Sequence, residues 1–246
     1  VSGALHSPPT VWVARVRSLV PYRQAWAWQR AVHAARVTGR IPDVAFWLSH
    51  PPTVTLGRRG RTSALRRSQE ELSAQGVELH VVERGGDATY HGPGQWVVYP
   101  VLRLGQADAD AHGHLYNLEE LAIRTCAAFG VPARRRAGMA GAWTPRGKIA
   151  AIGFAIRRWV TFHGMSFNVA PNPNGFEWII PCGLAGEPVA SLADHLSAVP
   201  SMDDVADVMI QLFGTIFGRR VEYVGDRPSW PAELAELCPE EQPTSP

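Results

Sequence analysis

The 246-residue sequence is almost devoid of lysine: of its 24 basic residues 23 are arginine, and Lys148 is the exception. Whatever pressure favours arginine along the chain did not prevail at 148. Arginine stays protonated in proteins, whereas a desolvated or paired lysine amine can lose its proton, so proton transfer is the task that arginine cannot take over. Lys148 is a candidate site residue on this ground alone, with a chance survivor on the surface as the alternative.

Other absences narrow the class. Apolar runs such as residues 95–104 stop well short of the ~20 residues that a membrane helix needs, so no membrane span or membrane partner is expected. The first ten residues, VSGALHSPPT, lack the charged-then-apolar order of a secretory signal, which points to a cytoplasmic protein. Cys126, Cys182 and Cys238 are scattered without CxxC spacing, which argues against a zinc site and a disulfide framework and for free thiols. A net charge of only +2 gives no electrostatic reason to expect nucleic acid. No GxGxxG opens a helix after the first strand and no GxxxxGK[ST] occurs, so neither a dinucleotide fold nor a P-loop is indicated. The 46% apolar content is enough to fill a sizeable core.

Periodicity supplies the elements. Residues 11–17 (VWVARVR) alternate as a half-buried strand does, and a helix is expected from Pro21 to Gly39 with Ala25, Trp28, Val32 and Ala35 on one face. Residues 44–50 and 53–57 read as strands around a Pro51-Pro52 turn, 77–84 and 95–104 as strands flanking a glycine loop, and Leu115 to Phe129 as a helix. Residues 143–158 read as a hairpin turning at Pro145-Arg146-Gly147, with 160–169 as the next strand. A last helix spans 202–218 with Val205, Val208, Met209, Leu212 and Ile216 inward, and 221–224 closes the sheet. One α+β domain with a mixed sheet is expected over residues 10–227, between tails at 1–9 and at 228–246, the latter rich in Pro and Glu and loosely attached.

Three stretches carry candidate chemistry. RGGDATYHGPGQ (84–95) packs four glycines and one titratable ring, His91, between strand-like segments, where the backbone can approach a ligand closely. Phosphate is the obvious ligand for such a loop but the second-best reading, since no lysine is near it, and a plain glycine-rich turn between two strands is the alternative. Cys182 sits in Pro-Cys-Gly within a loop, unlike Cys126, which reads as core, and Cys238, which reads as incidental. A reactive thiol needs a neighbouring base or cation, and Lys148 and His163 are candidates of the right kind. His112 and His114 fall in an expected loop with no third ligand at useful spacing, so no metal site is assigned. The arginine runs at 58–67 and 134–136 read as solvated faces, or as a surface for an acidic protein partner.

Taken together, RGGDATYHGPGQWVVYP, GKIAAIGFAIRRWVTFHGMSFNV and IIPCGLAG occur in an order that closely resembles the lipoyl(octanoyl) transferase family, over roughly residues 11 to 225. The resemblance implies an α/β sandwich with a mixed sheet, like the catalytic domain of biotin and lipoate protein ligases. It implies a Cys182 nucleophile activated by Lys148. It implies substrate binding by Arg84, Gly85, Gly86, Asp87, Ala88, Thr89, Tyr90 and His91, and by Ala151, Ile152 and Gly153 with Gly164, Met165 and Ser166; His163 is grouped with them. It implies octanoyl-acyl carrier protein as donor, and as acceptors the apo lipoyl domains of 2-oxoacid dehydrogenase E2 subunits and the glycine cleavage H protein. No cofactor is implied. Met165, Ser166 and Ala151 depart from the residues expected there, which leaves acyl length open. The rival readings are an ATP-dependent lipoate or biotin ligase on the same fold, which would need no cysteine, and a non-catalytic module that docks lipoyl domains.

Overall fold

The computed structural model describes residues 7–105, 111–180 and 186–240. Its centre is strand β2 (Asp43–Ser49), in which every residue is buried. Val44, Phe46 and Leu48 point to one face of the sheet and Ala45 and Trp47 to the other, so the inner run VAFWL is apolar throughout because both of its faces are covered. Around it an eight-stranded mixed sheet is built in the order β11-β1-β2-β6-β10-β9-β8-β7. The strands are β1 (Thr10–Leu19), β6 (Gln95–Val101), β7 (Arg134–Arg136), β8 (Met139–Thr144), β9 (Gly147–Arg157), β10 (Val160–Asn168) and β11 (Arg220–Gly225). β1 pairs in parallel with β2 and β11, and the remaining neighbours are antiparallel.

Helices α3 (Ala111–Ala128) and α4 (Met202–Phe217) cover one face of this sheet, and α1 (Tyr22–Val37) and α5 (Ala232–Leu237) cover the other. Ala25, Trp28, Val32 and Ala35 form the buried stripe of α1, as their spacing predicts. A small sheet of β4 (Glu78–Val81), β3 (Thr53–Leu56) and β5 (Ala88–His91) has its own apolar cluster, closed by Leu72 of α2 (Gln69–Ala74). Among the described residues no helix is long and apolar enough to cross a membrane.

The two strands expected around Pro51-Pro52 are present, β2 in the large sheet and β3 in the small one. Three readings are corrected. The glycine loop contains a strand of its own, β5, because the four residues Ala-Thr-Tyr-His are all buried. His112 and His114 lie in α3 rather than a loop, and the buried His114 ring meets Phe154 edge-on. The buried face of α4 is Val205, Ala206, Met209, Phe213 and Phe217, with the larger rings turned inward in preference to Val208, Leu212 and Ile216.

The C-terminal stretch also differs from its expected looseness as far as residue 240. Trp230, Leu234 and Cys238 are buried in the cluster under α1, and the Trp28 indole N–H donates to the Pro239 carbonyl at 2.9 Å. Pro and Glu dominate the composition there, but three large apolar side chains at helical spacing decide its fate. Burial pushes the Cys238 thiol up to about 12, and Cys126, core as expected, to about 12 as well.

Candidate functional site

The site is built on the pairing of β9 with β10. Ala151 lies opposite Ser166, Ile152 opposite Met165 and Gly153 opposite Gly164, so two segments singled out separately in the sequence are neighbours across one ladder. The glycine pair is required by close backbone approach. A Cβ on Gly153 would stand 2.6 Å from the Gly85 carbonyl oxygen, and one on Gly164 would stand 2.1 Å from that of Val98.

Residues 84–87 dock into the gap so created. The Gly85 N–H donates to the Phe154 carbonyl at 2.9 Å, while the carbonyls of Arg84, Gly86 and Asp87 accept from the N–H groups of Arg58, Arg59 and Gly57 at 3.0, 3.1 and 3.0 Å. The loop thus staples the small sheet to β9 of the large one. Gly85 spends its N–H on that staple, so the loop is not a free phosphate cradle. The Arg84 guanidinium folds inward to the Thr55 carbonyl at 2.7 Å and the Thr55 hydroxyl at 2.8 Å.

Between the sheets lies a cleft lined by Arg84, Thr89 and His91 from the small-sheet side and by Ala151–Gly153 and His163–Ser166 from the large sheet. Gly85 and Gly86 line an adjoining recess, together with Lys148, Arg59, Leu115 and Met139; Ile152 and Gly153 are common to both spaces. Asp87 holds Gly57 through its backbone, and Ala88 and Tyr90 face the small-sheet core by the alternation of β5. Those three residues do not line the cleft.

Lys148 is buried, with its Nζ 4.9 Å from the centroid of the Trp143 ring. Gly141 lets the stem lie close, since a Cβ there would stand 3.2 Å from Lys148 Cε. Cys182 lies outside the described residues. The described chain on both sides of it is anchored: the Ile180 N–H donates to Ala64 at 2.8 Å, and Lys148 exchanges backbone bonds with Pro188 and Ala190, each at 2.9 Å. Glu187, in the same returning segment, pairs with Arg136 at 2.8 Å, and Arg136 stacks on Trp143 at 4.2 Å. Residues 188–190 therefore run alongside Lys148.

Residues 21–214 match the family model of the lipoyl protein ligase A/B catalytic domain. The chain belongs to this family. Octanoyltransferases of Synechococcus sp. strain JA-2-3B'a(2-13) and of Chloroflexus aurantiacus strain J-10-fl are each 41% identical to it, over 216 and 201 residues. Those matches cover 83% and 80% of this chain and 82% and 90% of the relatives. With such relatives the protein is an acyltransferase. Among solved structures, a putative lipoate protein ligase from T. acidophilum with bound lipoic acid superposes with a TM-score of 0.75 at 15% identity, over 94% of this chain and 93% of that one. Lipoate-protein ligase A bound with ATP gives 0.76 at 15%, over 94% and 92%. At such identity the likeness is one of fold.

Several residues around the cleft of this lipoyl protein ligase A/B family member carry no sequence signal. Tyr22 and Tyr99 line it, and His50 supports it from behind. His50 Nδ1 lies 2.7 Å from the Val20 carbonyl, which can only accept, so Nδ1 holds the proton and Nε2 accepts from the Tyr99 hydroxyl at 2.8 Å. Burial brings His50 down to about 4, outweighing the Val20 bond, and raises the Tyr22 and Tyr99 phenols. The signal available in the sequence was weak: a histidine and tyrosines inside otherwise apolar elements. Among the described residues no group of three His, Cys, Asp or Glu side chains is placed to hold a metal ion.

The two arginine runs differ. In the second, Arg135 pairs with Glu119 and Glu120 and Arg136 with Glu187, so these charges serve the fold. In the first, Arg58, Arg59, Arg61, Arg66 and Arg67 are all exposed, and Arg67 lies 4.0 Å from the Glu71 carboxylate.

Proposed function

We propose that the protein transfers an octanoyl group from octanoyl-acyl carrier protein to the lysine amine of apo lipoyl domains, through a thioester on Cys182. The observation that carries this reading is the convergence of Arg84, Thr89 and His91 with Ala151–Gly153 and Gly164–Ser166 on one cleft, next to a recess that Gly85 and Gly86 share with the chain's single lysine. Val97, Ile152 and Met165 supply apolar wall. Burying the six methylenes of an octanoyl tail, at about 0.8 kcal/mol each, is worth ~5 kcal/mol, enough to hold the acyl group while two protein partners exchange.

The chemistry follows from the two side chains. A thiol with a pKa near ~8.5 is mostly protonated at neutral pH, and a neighbouring amine that takes its proton leaves a thiolate–ammonium pair. The thiolate attacks the donor thioester carbonyl; the new C–S bond forms, the bond to the carrier sulfur breaks, and Lys148 returns its proton to that leaving thiolate. The acceptor amine then attacks the Cys182 thioester. A C–N bond forms, the C–S bond breaks, and the proton lost by the amine passes through Lys148 to the cysteine sulfur. One base serves both halves, which arginine at 148 could not do. The protein partners lie outside the cleft, and the exposed Arg58–Arg67 run beside the recess suits an acidic one.

The test is intact-protein mass spectrometry after mixing with octanoyl-acyl carrier protein in the absence of ATP. One thiol-labile octanoyl adduct is expected on the wild type, absent in Cys182→Ser and slowed at least a hundredfold in Lys148→Arg. Absence of the adduct together with ATP-dependent modification of a lipoyl domain would replace this reading with that of a ligase.

A further inference from the structure

The inner end of the cleft is more polar than an octanoyl tail requires. His91 and His163 are 5% and 1% exposed, and both line the cleft. Neither ring nitrogen of His163 has a hydrogen-bond partner among the described residues, nor has Nδ1 of His91. Glu83 Oε2 lies 3.8 Å from His163 Nε2, too far for a hydrogen bond. The neighbouring His50, by contrast, is satisfied at both nitrogens.

His163 is also held in a costly backbone conformation. Its φ is +58° in the middle of β10, a region that side chains other than glycine rarely occupy. The strain is fixed from α1, where the buried Gln29 Oε1 accepts the His163 N–H at 2.7 Å. His91 is fixed by Tyr22, whose ring stacks on it with centroids 6.0 Å apart. Two rings are thus oriented by buried neighbours while His91 Nδ1 and both nitrogens of His163 make no hydrogen bond among the described residues.

Their position defines the end of the cleft. Lys148 lies outside, in the recess that shares Ile152 and Gly153 with the cleft. His163 stands opposite Phe154, one step further along β9 than Gly153. An acyl chain whose carbonyl is held beside Lys148 passes Ile152 and Gly153 and meets the rings of Tyr22, His91, Tyr99 and His163. Burial lowers both imidazoles, with the Glu83 carboxylate opposing the shift at His163, and an imidazole in its neutral form offers one donor and one acceptor.

We propose that His91 and His163 form a polar stop at the end of the acyl cleft, which limits acyl length and accepts a polar terminal atom. The inference rests on the reading that the cleft holds an acyl chain. A tail that ends short of the rings leaves their nitrogens within reach of water. A longer one covers them with methylenes that cannot hydrogen-bond and leaves buried polar atoms unpaired. A terminal hydroxyl restores the bonds.

The test compares single-turnover acylation of the full chain by octanoyl, decanoyl and 8-hydroxyoctanoyl thioesters of the carrier protein, in the wild type and in His91→Phe, His163→Phe and His91→Ala. Phenylalanine keeps a ring and removes the nitrogens. Both phenylalanine variants are expected to raise the decanoyl-to-octanoyl rate ratio about tenfold and to lower the 8-hydroxyoctanoyl-to-octanoyl ratio about tenfold. His91→Phe has no left-handed backbone to accommodate and carries the test if the 163 variant does not fold. Unchanged ratios overturn the proposal, as does a decanoyl gain in His91→Ala without one in His91→Phe, which would make the stop steric. Absence of any adduct on the wild type overturns the acyl-cleft reading itself.

Discussion

Buried neutral histidines make stability a function of pH in a window that carboxylates do not touch. Burial brings His50 from 6.5 to about 4 and His114 from 6.5 to about 3. The folded state therefore refuses protons that the unfolded chain takes up below 6.5. The stabilisation is complete above that value and is lost as pH falls toward 4 and 3. At ~1.4 kcal/mol per pH unit, a drop from 6.5 to 5 costs about 2 kcal/mol for each ring, or ~4 kcal/mol for the pair, against a total of ~5–15 kcal/mol for an ordinary domain. His91 and His163 are shifted in the same direction by the same cause and steepen the loss. Glu83 and Glu120 are shifted down, so their contributions are intact above the ordinary carboxylate range and are lost only as pH falls through and below it. Urea midpoints at pH 7.5, 6.5, 5.5 and 5.0 measure the effect. His114, edge-on to Phe154 and Phe217, offers the control: His114→Phe should lose about 2 kcal/mol less than the parent between pH 6.5 and 5. A midpoint that is flat from 7.5 to 5, or a variant that falls as steeply as its parent, would refute the reasoning.

Two further outcomes are expected. Gly164→Ala places a Cβ 2.1 Å from the Val98 carbonyl oxygen and 2.7 Å from Pro100 Cδ, so it should lower stability by ~1–3 kcal/mol and close the cleft to acyl groups. A fully stable, fully acylated variant would show that the strands part without cost. Removal of residues 228–246 takes away Trp230, Leu234 and Cys238 and uncovers Trp28 and Phe46. At ~1.5–3 kcal/mol per large apolar side chain the loss is about 5 kcal/mol, and a urea midpoint equal to that of the full chain would contradict the packing.

Much of this molecule was legible in the sequence where one rule dominated. The α1 stripe and the β8–β9–β10 meander followed from period and turn chemistry, and the family segments landed on one cleft because β9 and β10 pair in a register that sets Gly153 against Gly164. Misreadings arose where two rules competed. The tail was judged by its prolines and glutamates although Trp230 and Leu234 had the spacing to pack. The loop at 84–95 was judged by its glycines, so β5 inside it was missed. His50, Tyr22 and Tyr99 were invisible because a polar group within an apolar run gives no hint of which ligand space lies beside it. The left-handed φ of His163 has no sequence signature at all.

The placement of Lys148 has a spectroscopic consequence. A chain with a single lysine gives a single lysine side-chain resonance when that residue type alone carries the isotope label. The Nζ of this lysine lies 4.9 Å from the Trp143 ring centroid, so the ring current of the indole sets its signal apart from that of a solvated amine. The proton on the candidate base can be followed directly through each stage of turnover, in the unaltered protein and without a reporter group.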